Sequence, residues 1–258
     1  EQLLPWARKI AEDAEPQEIY RSKEGRKTLR FRAMGRSFFL KLHSGIGWRE
    51  VFKNLLQFRL PVTGASNEYR AIRKLEALGV DTLNVAAYAR VGHNPAHVQS
   101  LLVTDDLVGT ISLEDFCANW SSAAPAPELR WRIIRTLAGT SRAMHGAGIN
   151  HRDYYLCHFH LDPASLQQAQ LRCHLIDLHR AQIRKAVPRR WRVKDLAGLY
   201  FSAMDCGISR RDLLRFMRAY SGEGLRDTLR SQHRLWSAVQ QRALKLYRQE
   251  YGREPPAL

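Results

Sequence analysis

Short apolar runs alternate with turn residues in the first part of the chain. Between Ile19 and His43 the runs IYR, LRFRAM and FFLKL are separated by Glu24-Gly25-Arg26 and by Gly35-Arg36. β-prone runs at this spacing, divided by glycine-containing turns, are typical of antiparallel hairpins. The pattern therefore predicts a small antiparallel sheet.

Helical periodicity dominates the rest of the chain. Residues 67–78 carry apolar side chains at helical spacing, and Gly79 is a typical C-terminal cap. A strand-like run, Leu101–Thr104, comes before a long predicted helix that ends near Gly146, and Ser209 with Asp212 has the capping-box pattern of another helix start. The second half is therefore predicted to be mainly α.

These patterns predict an α+β protein with two differently built parts. The sheet and one helix belong to residues 1–106, and the mainly helical part to residues 107–258. The segment Asp105–Gly109 is the predicted hinge between them. The sequence has no internal repeats.

Charge is the strongest feature of the composition. The chain has 41 Lys and Arg residues against 25 Asp and Glu residues, a formal net charge of +16. A field of this sign attracts polyanions without identifying them. Nucleic acid, anionic lipid, an acidic protein and a phosphate-rich small molecule all stay open on charge alone.

Length and composition restrict the class of protein. A chain of 258 residues, 45% of them apolar, can bury a sizeable core. The sequence has neither a signal-peptide pattern nor an apolar run near the ~18 residues that span a bilayer, so we expect a cytoplasmic protein. The four cysteines form no CxxC pair and are expected to be reduced core thiols.

The stretch INHRDYYLCHFHLD, residues 149–162, is unusually rich in chemically active side chains. Alternation predicts that a strand with His158 and His160 on one face follows Asp153. A second strand is predicted around Leu171–Leu175, and Asp177 follows it. A buried aspartate at a strand end is costly unless it holds a metal or another partner.

A zinc site is the alternative interpretation of this stretch. Its candidate ligands would be Cys157, His158, His160, Cys173 and His174. Alternation places Cys157 opposite to the histidines, and paired-ligand spacing is absent from the sequence. These features disfavour zinc.

The order of these elements is that of the protein-kinase-like fold: a small sheet, a helix, a hinge, a long helix, His-Arg-Asp, a hairpin and a strand-end aspartate. More narrowly, HRDYYLCHF, IDLHRAQ, KDLAGLYFSA and GIGWREVFKNLL resemble the lipopolysaccharide core heptose(I) kinases of Gram-negative bacteria. The resemblance covers nearly the whole chain. It implies a bilobal fold that uses ATP and Mg²⁺ to phosphorylate the first heptose of the lipopolysaccharide inner core.

The resemblance also implies roles for individual residues. Asp153, with His151 and Arg152, would form the catalytic loop, and Asp153 would accept the proton of the attacking sugar hydroxyl. Asp177 would hold Mg²⁺ against the ATP phosphates. Asp195 would brace the catalytic loop.

Nucleotide binding is assigned mainly to the first part of the chain. Lys41 would contact the α- and β-phosphates and pair with Glu68, which lies on the core-facing side of its helix. We also assign Gly25, Lys27 and Asp105 to the nucleotide site.

The sequence departs from the kinase pattern in three places. His158 stands where kinases have a metal-binding asparagine, and we assign it as a candidate second metal ligand. The glycine-rich loop is reduced to Gly25, so Ser22, Arg26, Lys27 or Thr28 are expected to compensate. Only 18 residues lead from Asp177 to Asp195, which favours a constitutively active small-molecule kinase.

Partners follow from charge and from the resemblance. The segment Ile46–Leu60 has the pattern of a basic amphipathic helix that either lies on an anionic membrane or packs within the protein. We expect peripheral association with the inner face of the inner membrane and a lipopolysaccharide inner-core acceptor, and an acidic protein partner is compatible with the charge. A nucleic-acid-binding protein without a recognisable motif and a catalytically inactive kinase-fold scaffold are the rival classes. We expect no nucleic acid partner.

Overall fold

The computed structural model describes residues 2–23, 25–56 and 64–256. The end of the predicted amphipathic segment, including Arg59 and the side chain of Leu55, lies outside the described residues. The chain forms two compact units. Unit 1 consists of Glu1–Lys74, Leu83–Val108 and Leu178–Arg180, and unit 2 consists of Leu75–Thr82, Gly109–Asp177 and Ala181–Leu258.

Unit 1 contains the antiparallel sheet that the N-terminal pattern predicts. Its strands follow the order β1-β2-β3-β5-β4. They are β1 (Ile19–Lys23), β2 (Arg26–Ala33), β3 (Arg36–His43), β4 (Val85–Val91) and β5 (Gln99–Asp105). Met34 and Gly35 form the two-residue turn between β2 and β3 with φ of 52° and 72°. Positive φ at both central residues is characteristic of a type I′ hairpin turn, which fixes the register of the pair.

One face of this sheet is covered by a helix that the sequence patterns did not predict, α1 (Leu3–Asp13). The core on that face joins side chains of the helix and of three strands: Leu4, Ala7, Ala11, Leu29, Leu40, Leu42, Leu101 and Val103. The helix lacks the usual sequence signal at its start, because Gln2 makes no side-chain cap. Its stability therefore comes from packing on the sheet.

Two further helices follow β3 in the chain, α2 (Gly47–Leu56) and α3 (Ser66–Ala77). The predicted end of α3 is confirmed. Gly79 has φ of 70°, and the backbone N–H of Val80 donates to the carbonyl of Leu75 across 3.0 Å, as in a Schellman cap. Ile72 and Leu75 are fully buried, as their helical spacing predicted.

Unit 2 is mainly helical, as predicted. Its helices are α4 (Leu113–Cys117), α5 (Pro127–Gly146), α6 (Arg189–Ala203), α7 (Arg210–Ser221), α8 (Leu225–Ser231) and α9 (His233–Tyr251). Tyr220, Trp236 and Tyr247 are the largest side chains of the core that α6, α7 and α9 share. The capping box of Ser209 and Asp212 is present at the start of α7. The four cysteines are free thiols, and three of them are buried.

Short strands carry the chemically dense stretch. They are β6 (Ile111–Ser112), β7 (Ile149–Asn150), β8 (Phe159–Leu161), β9 (Cys173–Leu175) and β10 (Gln182–Ile183). β8 pairs with β6 and β9, and β7 pairs with β10.

The prediction that His158 and His160 share a strand face is wrong. Residues Leu156–His158 form a 3₁₀ turn, and β8 begins only at Phe159. The ring of His160 approaches Thr110, with 3.1 Å between Nδ1 and Oγ1. His158 faces Asp177 instead.

Within the described part of the chain, no helix combines the length and the apolar character of a bilayer span.

Candidate active site

Lys41 on β3 and Glu68 in the first turn of α3 form an ion pair within unit 1. The Nζ of Lys41 lies 2.6 Å from Oε1 of Glu68, whose side chain is only 1% exposed. A buried carboxylate is costly unless a cation compensates it, so this pairing holds both side chains in place. The predicted pair is therefore present, and it fixes the ammonium group of Lys41 on one face of the sheet.

The strand register shows which residues share that face. Thr28 lies opposite Lys41, and Arg26 lies opposite His43. Arg21 on β1 lies opposite Thr28. Side chains that are directly opposite in neighbouring strands point to the same side of a sheet, so all five lie on one face. Arg21 was missed by the sequence analysis, because the β1–β2 register contains an irregularity that no sequence pattern marks.

This face is strongly positive. His43 is buried, and burial together with the nearby charges of Arg26 and Lys41 lowers its pKa to about 3. A buried imidazole next to cations stays neutral, because a further positive charge would be both desolvated and repelled. The face is thus suited to an anionic ligand such as a polyphosphate.

Lys27 does not belong to this face, which corrects its assignment to the nucleotide site. It lies opposite Leu42, one position out of phase with Thr28. Alternation therefore turns it to the α1 side of the sheet, where its ammonium group donates to the carbonyl of Ala11. The residue neutralises the C-terminal end of α1.

The side chain of Asp105 is also placed away from Lys41. Asp105 lies opposite Phe38 at the end of β5, on the same face of the sheet as the α1 core. Its carboxylate lies 2.8 Å from the guanidinium of Arg36. The carboxylate is therefore engaged in an ion pair, and the assignment of Asp105 to nucleotide binding stays a prediction.

Gly25 forms the turn between β1 and β2. Its φ is 69°, and a Cβ built on it would lie 2.1 Å from the carbonyl oxygen of Gly45. The carbonyl of Gly25 accepts the N–H of Ser44 across 2.8 Å. Glycine is required here by the backbone conformation and by the close approach. Its contact with a nucleotide stays a prediction.

The catalytic-loop candidates in unit 2 are held by one buried carboxylate. Asp195 on α6 accepts the backbone N–H of His151 across 2.7 Å and that of Arg152 across 2.8 Å. His145 lies 3.3 Å from the same carboxylate. Arg152 has φ of 83°, a conformation that costs a non-glycine residue about 1–2 kcal/mol. The two hydrogen bonds stabilise that conformation, and the predicted brace is present.

His151 is fully buried and contacts the segment that leads to Asp177. Its Nε2 lies 2.9 Å from the carbonyl oxygen of Ile176 and donates to it. Burial lowers the pKa of His151. Since the side chain is inaccessible to a substrate, its assignment as catalytic is corrected: His151 is a positioning residue that joins the loop to the strand end before Asp177.

His158 lies between the catalytic loop and the strand-end Asp177. Its Nδ1 lies 2.7 Å from the backbone carbonyl oxygen of Asp153, and its Nε2 lies 3.6 Å from Oδ2 of Asp177. A carbonyl can only accept, so Nδ1 carries the hydrogen. Nε2 is therefore the ring nitrogen that faces the carboxylate of Asp177.

The donor set around Asp177 fits a divalent cation that takes most of its ligands elsewhere. Within residues 2–23, 25–56 and 64–256, no group of three or more His, Cys, Asp or Glu side chains is placed to hold a metal. Mg²⁺ commonly uses one or two carboxylates plus phosphate and water, and its adjacent octahedral ligands are about 3 Å apart. The Asp177 carboxylate suits Mg²⁺, whereas an imidazole nitrogen suits softer metals better.

Comparisons with known proteins identify relatives over most of the chain. Residues 11–220 match the model of the lipopolysaccharide kinase (Kdo/WaaP) family. The chain is 47% identical over 230 residues to the lipopolysaccharide core heptose(I) kinase WaaP of Escherichia coli, covering 89% of this chain and 87% of that protein. It is 48% identical over 239 residues to the protein of the same name from Pseudomonas aeruginosa, covering 91% and 88%.

A solved structure supports the same relationship. The structure of WaaP in complex with acyl carrier protein is 39% identical, with a TM-score of 0.79 and 95% of each chain covered. The α+β fold class predicted from the sequence is confirmed by this likeness. The matched family region also contains the loop of Asp153, the strand-end Asp177 and the brace Asp195. The chain belongs to the lipopolysaccharide kinase (Kdo/WaaP) family.

Proposed function

We propose that this protein uses ATP to phosphorylate a hydroxyl of the first heptose in the lipopolysaccharide inner core. The observation that carries the proposal is the arrangement of His158, which contacts the backbone of Asp153 and faces the carboxylate of Asp177. Phosphoryl transfer needs a positioned base and a cation ligand, and the His158 ring faces the segment of one and the side chain of the other. We infer the acceptor from the relatives in E. coli and P. aeruginosa, which are named lipopolysaccharide core heptose(I) kinases.

In this proposal Asp153 is the catalytic base. The heptose hydroxyl oxygen attacks the γ-phosphorus of ATP while the bond from that phosphorus to the β–γ bridging oxygen breaks, and ADP leaves. The Asp153 carboxylate orients the hydroxyl and takes its proton. The Asp195 brace keeps the loop in position, so Asp153 needs little reorganisation before the transfer.

Phosphate binding within unit 1 is assigned to Lys41. Lys41 contacts the α- and β-phosphates, and its pairing with Glu68 keeps the ammonium group in place. Asp177, with His158 beside it, would hold Mg²⁺, which would supply charge neutralisation for the phosphates. Arg21, Arg26 and Thr28 add donors on the same sheet face as Lys41. These side chains supply contacts that a longer glycine-rich loop supplies elsewhere.

Transfer of ³²P from γ-labelled ATP to purified, unphosphorylated core lipopolysaccharide tests the function. We expect Mg²⁺-dependent labelling of the acceptor by the parent protein. Asp153→Asn should reduce transfer by about 10²-fold or more, the usual contribution of a positioned acid–base group, while leaving ATP binding intact. Labelling of polynucleotide alone, or ATP binding with no labelled acceptor, would instead favour the nucleic-acid-binding or scaffold alternatives.

Peripheral membrane association is the second part of the proposal, and α2 is its candidate contact. Trp48, Phe52 and Leu56 follow each other at i, i+4 and i+8 and are 45%, 57% and 81% exposed. Arg49 and Lys53 lie next to this stripe on the helix. An exposed apolar stripe bordered by basic residues is typical of helices that lie in an anionic lipid surface.

Co-sedimentation with vesicles tests that contact. The parent protein should bind vesicles that contain phosphatidylglycerol more strongly than vesicles of phosphatidylcholine alone. Phe52→Glu should weaken this binding, whereas Leu229→Glu, a similar change at an exposed position of α8, should not. Equal binding of the two variants would remove α2 from the membrane contact.

An acidic protein is a further proposed partner. The related WaaP was solved in complex with acyl carrier protein, and the net charge of +16 suits a protein of opposite charge. Unit 2 also contains an apolar cavity of about 110 Å³, lined among others by Ile134, Leu199, Tyr200, Leu213, Phe216 and Met217. A hydrocarbon chain suits such a lining.

Titration with purified acyl carrier protein tests this partner. We expect the acylated form to bind more tightly than the unacylated form, because only the acylated form offers a chain to the cavity. Raising the salt concentration should weaken both interactions. A Kd that depends on neither acylation nor salt concentration would contradict the proposal.

A further inference from the structure

Four cationic side chains surround one indole ring in unit 2. The ring belongs to Trp191 in the first turn of α6, and the charged groups lie between 5.2 and 5.9 Å from its centre. They come from three parts of the chain, namely the catalytic loop, the segment after β10 and α6: Arg152, Arg184, Arg190 and Lys194. We call Trp191 and these four residues the Trp191 cluster. Cation–π attraction to a tryptophan face holds each cation individually.

The crowding of like charges is not offset by an acid within the first turn of α6. That turn contains no acidic residue, so the positive end of the helix dipole adds to the field of the cations. The guanidinium of Arg184 donates to the neutral side chains of Asn150 and Gln182, across 2.6 and 2.7 Å. Around Arg184 and the start of α6, the field is therefore one that a bound anion would stabilise.

Unsatisfied donor capacity points in the same direction. The indole N–H of Trp191 is buried and has no hydrogen-bond partner among the described residues. A buried donor without an acceptor is costly, which makes it a natural contact for an incoming oxygen. Arginine guanidinium groups are the donors that best match carboxylate and phosphate oxygens.

The cluster is attached rigidly to the candidate base. Arg152 directly precedes Asp153 in the chain, and its backbone N–H is held by Asp195. Asp195 lies on α6, the helix that also carries Trp191 and Lys194. An anionic group bound to the cluster would consequently be fixed relative to Asp153 with few mobile links between them.

We propose that the Trp191 cluster binds an anionic group of the acceptor, a carboxylate or a phosphate, and thereby presents the neighbouring sugar hydroxyl to Asp153. The proposal rests on the function proposed above and names how the same site recognises its substrate. We assign the cluster to the acceptor and not to ATP. The cluster is built on the catalytic loop and α6, whereas Lys41, the proposed phosphate contact of ATP, belongs to unit 1.

Two neutralising variants and one matched control test the proposal. Arg190→Gln and Lys194→Gln each remove a cation from the cluster, and Arg190 is exposed enough for its replacement to be tolerated. Arg211→Gln is the control, since Arg211 is exposed and lies on α7 rather than among the cations around Trp191. Thermal denaturation of each variant checks that it is folded.

Binding and transfer are measured separately. We expect Arg190→Gln and Lys194→Gln to raise the Kd and the apparent KM for core lipopolysaccharide by roughly tenfold each, as loss of a charge-assisted contact does. The Kd for ATP should not change, and Arg211→Gln should behave as the parent. Unchanged acceptor Kd in both cluster variants, or an equal rise in the Kd for ATP, would overturn the proposal.

The acceptor can be altered to identify the anion. One sample has its carboxyl groups amidated, and the other has any remaining phosphate groups removed by phosphatase. Whichever change weakens binding to the parent but not to Arg190→Gln identifies the group that the cluster contacts. If neither change does so, the cluster does not bind an anionic group of the acceptor.

The same data distinguish this inference from the proposed function. A parent protein that binds the acceptor through the cluster without transferring phosphate would refute the function and retain the inference. A parent that transfers phosphate with cluster variants of unchanged affinity would retain the function and refute the inference. A parent that neither binds nor phosphorylates the acceptor would refute both.

Discussion

The Nε2 atom of His158 lies 3.6 Å from the carboxylate of Asp177, at the position where kinases have a metal-binding asparagine. Replacing His158 should consequently change the affinity of the protein for the metal and its preference between metals. We expect His158→Asn to favour Mg²⁺ over Mn²⁺ in metal-dependent binding of a non-hydrolysable ATP analogue, because an amide oxygen suits Mg²⁺ better than imidazole nitrogen does. His158→Phe should weaken metal-dependent binding by at least about tenfold.

Isothermal titration calorimetry with each metal measures both effects. His160→Asn is the matched control, because the ring of His160 contacts Thr110. If the His158 variants and this control have the same affinities for both metals, His158 is a packing residue and Asp177 acts without it.

The ion pair of Lys41 and Glu68 predicts that the stability of the protein and its affinity for ATP can be changed independently. Lys41→Met leaves the carboxylate of Glu68, 1% exposed, without its cation, which should cost about 3–5 kcal/mol of the free energy of unfolding. The double variant Lys41→Met/Glu68→Leu should recover most of that loss, because it removes the buried charge. It should not recover ATP affinity, since the cation is still missing.

Urea denaturation and ATP titration measure the two quantities. A double variant that regains ATP affinity would remove Lys41 from the nucleotide site. A single variant as stable as the parent would contradict the structural role of the pair.

Asp195 predicts a link between a buried carboxylate and the catalytic loop. In Asp195→Asn only one side-chain oxygen remains to accept the N–H groups of His151 and Arg152, and the new amide N–H₂ faces one of them. We expect a loss of about 1–3 kcal/mol in the free energy of unfolding and a fall in kcat. Asp227→Asn, at an exposed acid of α8 that pairs with Arg230, is the control and should do neither. Parent-like stability and kcat in Asp195→Asn would refute the brace.

His43 predicts a pH dependence of stability. Its pKa is about 3 in the folded protein, whereas in an unfolded chain it is near 6.5. Between these values the unfolded chain binds more protons, so the contribution of neutral His43 is complete above about pH 6.5 and is lost as the pH falls toward 3. The charges that face it come from β1, β2, β3 and the 178–180 segment: Arg21, Arg26, Lys41 and His179.

Chemical denaturation at several pH values between 4 and 7 measures this contribution. In His43→Gln the free energy of unfolding should depend less steeply on pH than in the parent, by at most about 1.4 kcal/mol per pH unit. His93→Gln, at an exposed position, should keep the slope of the parent. Identical slopes in all three proteins would mean that His43 titrates normally in the folded state.

Local signals explain what the sequence predicted correctly. The hairpin around Gly35, the end of α3 at Gly79 and the capping box of Ser209 each depend on a few neighbouring residues. The order of catalytic-loop, strand-end and brace residues was carried by motifs that lie close together in the chain. These features could therefore be read without knowledge of the tertiary structure.

Features that depend on register or on distant packing could not be predicted. Lys27 and Thr28 are neighbours in the chain, and only the turn at Met34 and Gly35 decides which of them shares the face of Lys41. His158 was predicted on a strand because its neighbours alternate, but the ring bonds to the carbonyl of Asp153 within a 3₁₀ turn.

Long-range convergence was equally invisible to sequence reasoning. The Trp191 cluster joins residues from the catalytic loop, the segment after β10 and α6, which are up to 42 positions apart in the sequence. No local pattern marks Trp191 as their common contact. A surplus of basic residues in this region was the only sequence signal.

Arg152 and Asp177 both have positive φ, 83° and 59°, although neither is a glycine. Each conformation costs about 1–2 kcal/mol that a glycine would largely avoid. A population of variants selected for folding alone, by expression level or resistance to proteolysis, would therefore accumulate glycine at 177 and lose the carboxylate that we propose binds the metal. Engineering this enzyme for stability therefore needs an activity screen at every round, since stability favours glycine at these two positions and the proposed activity does not.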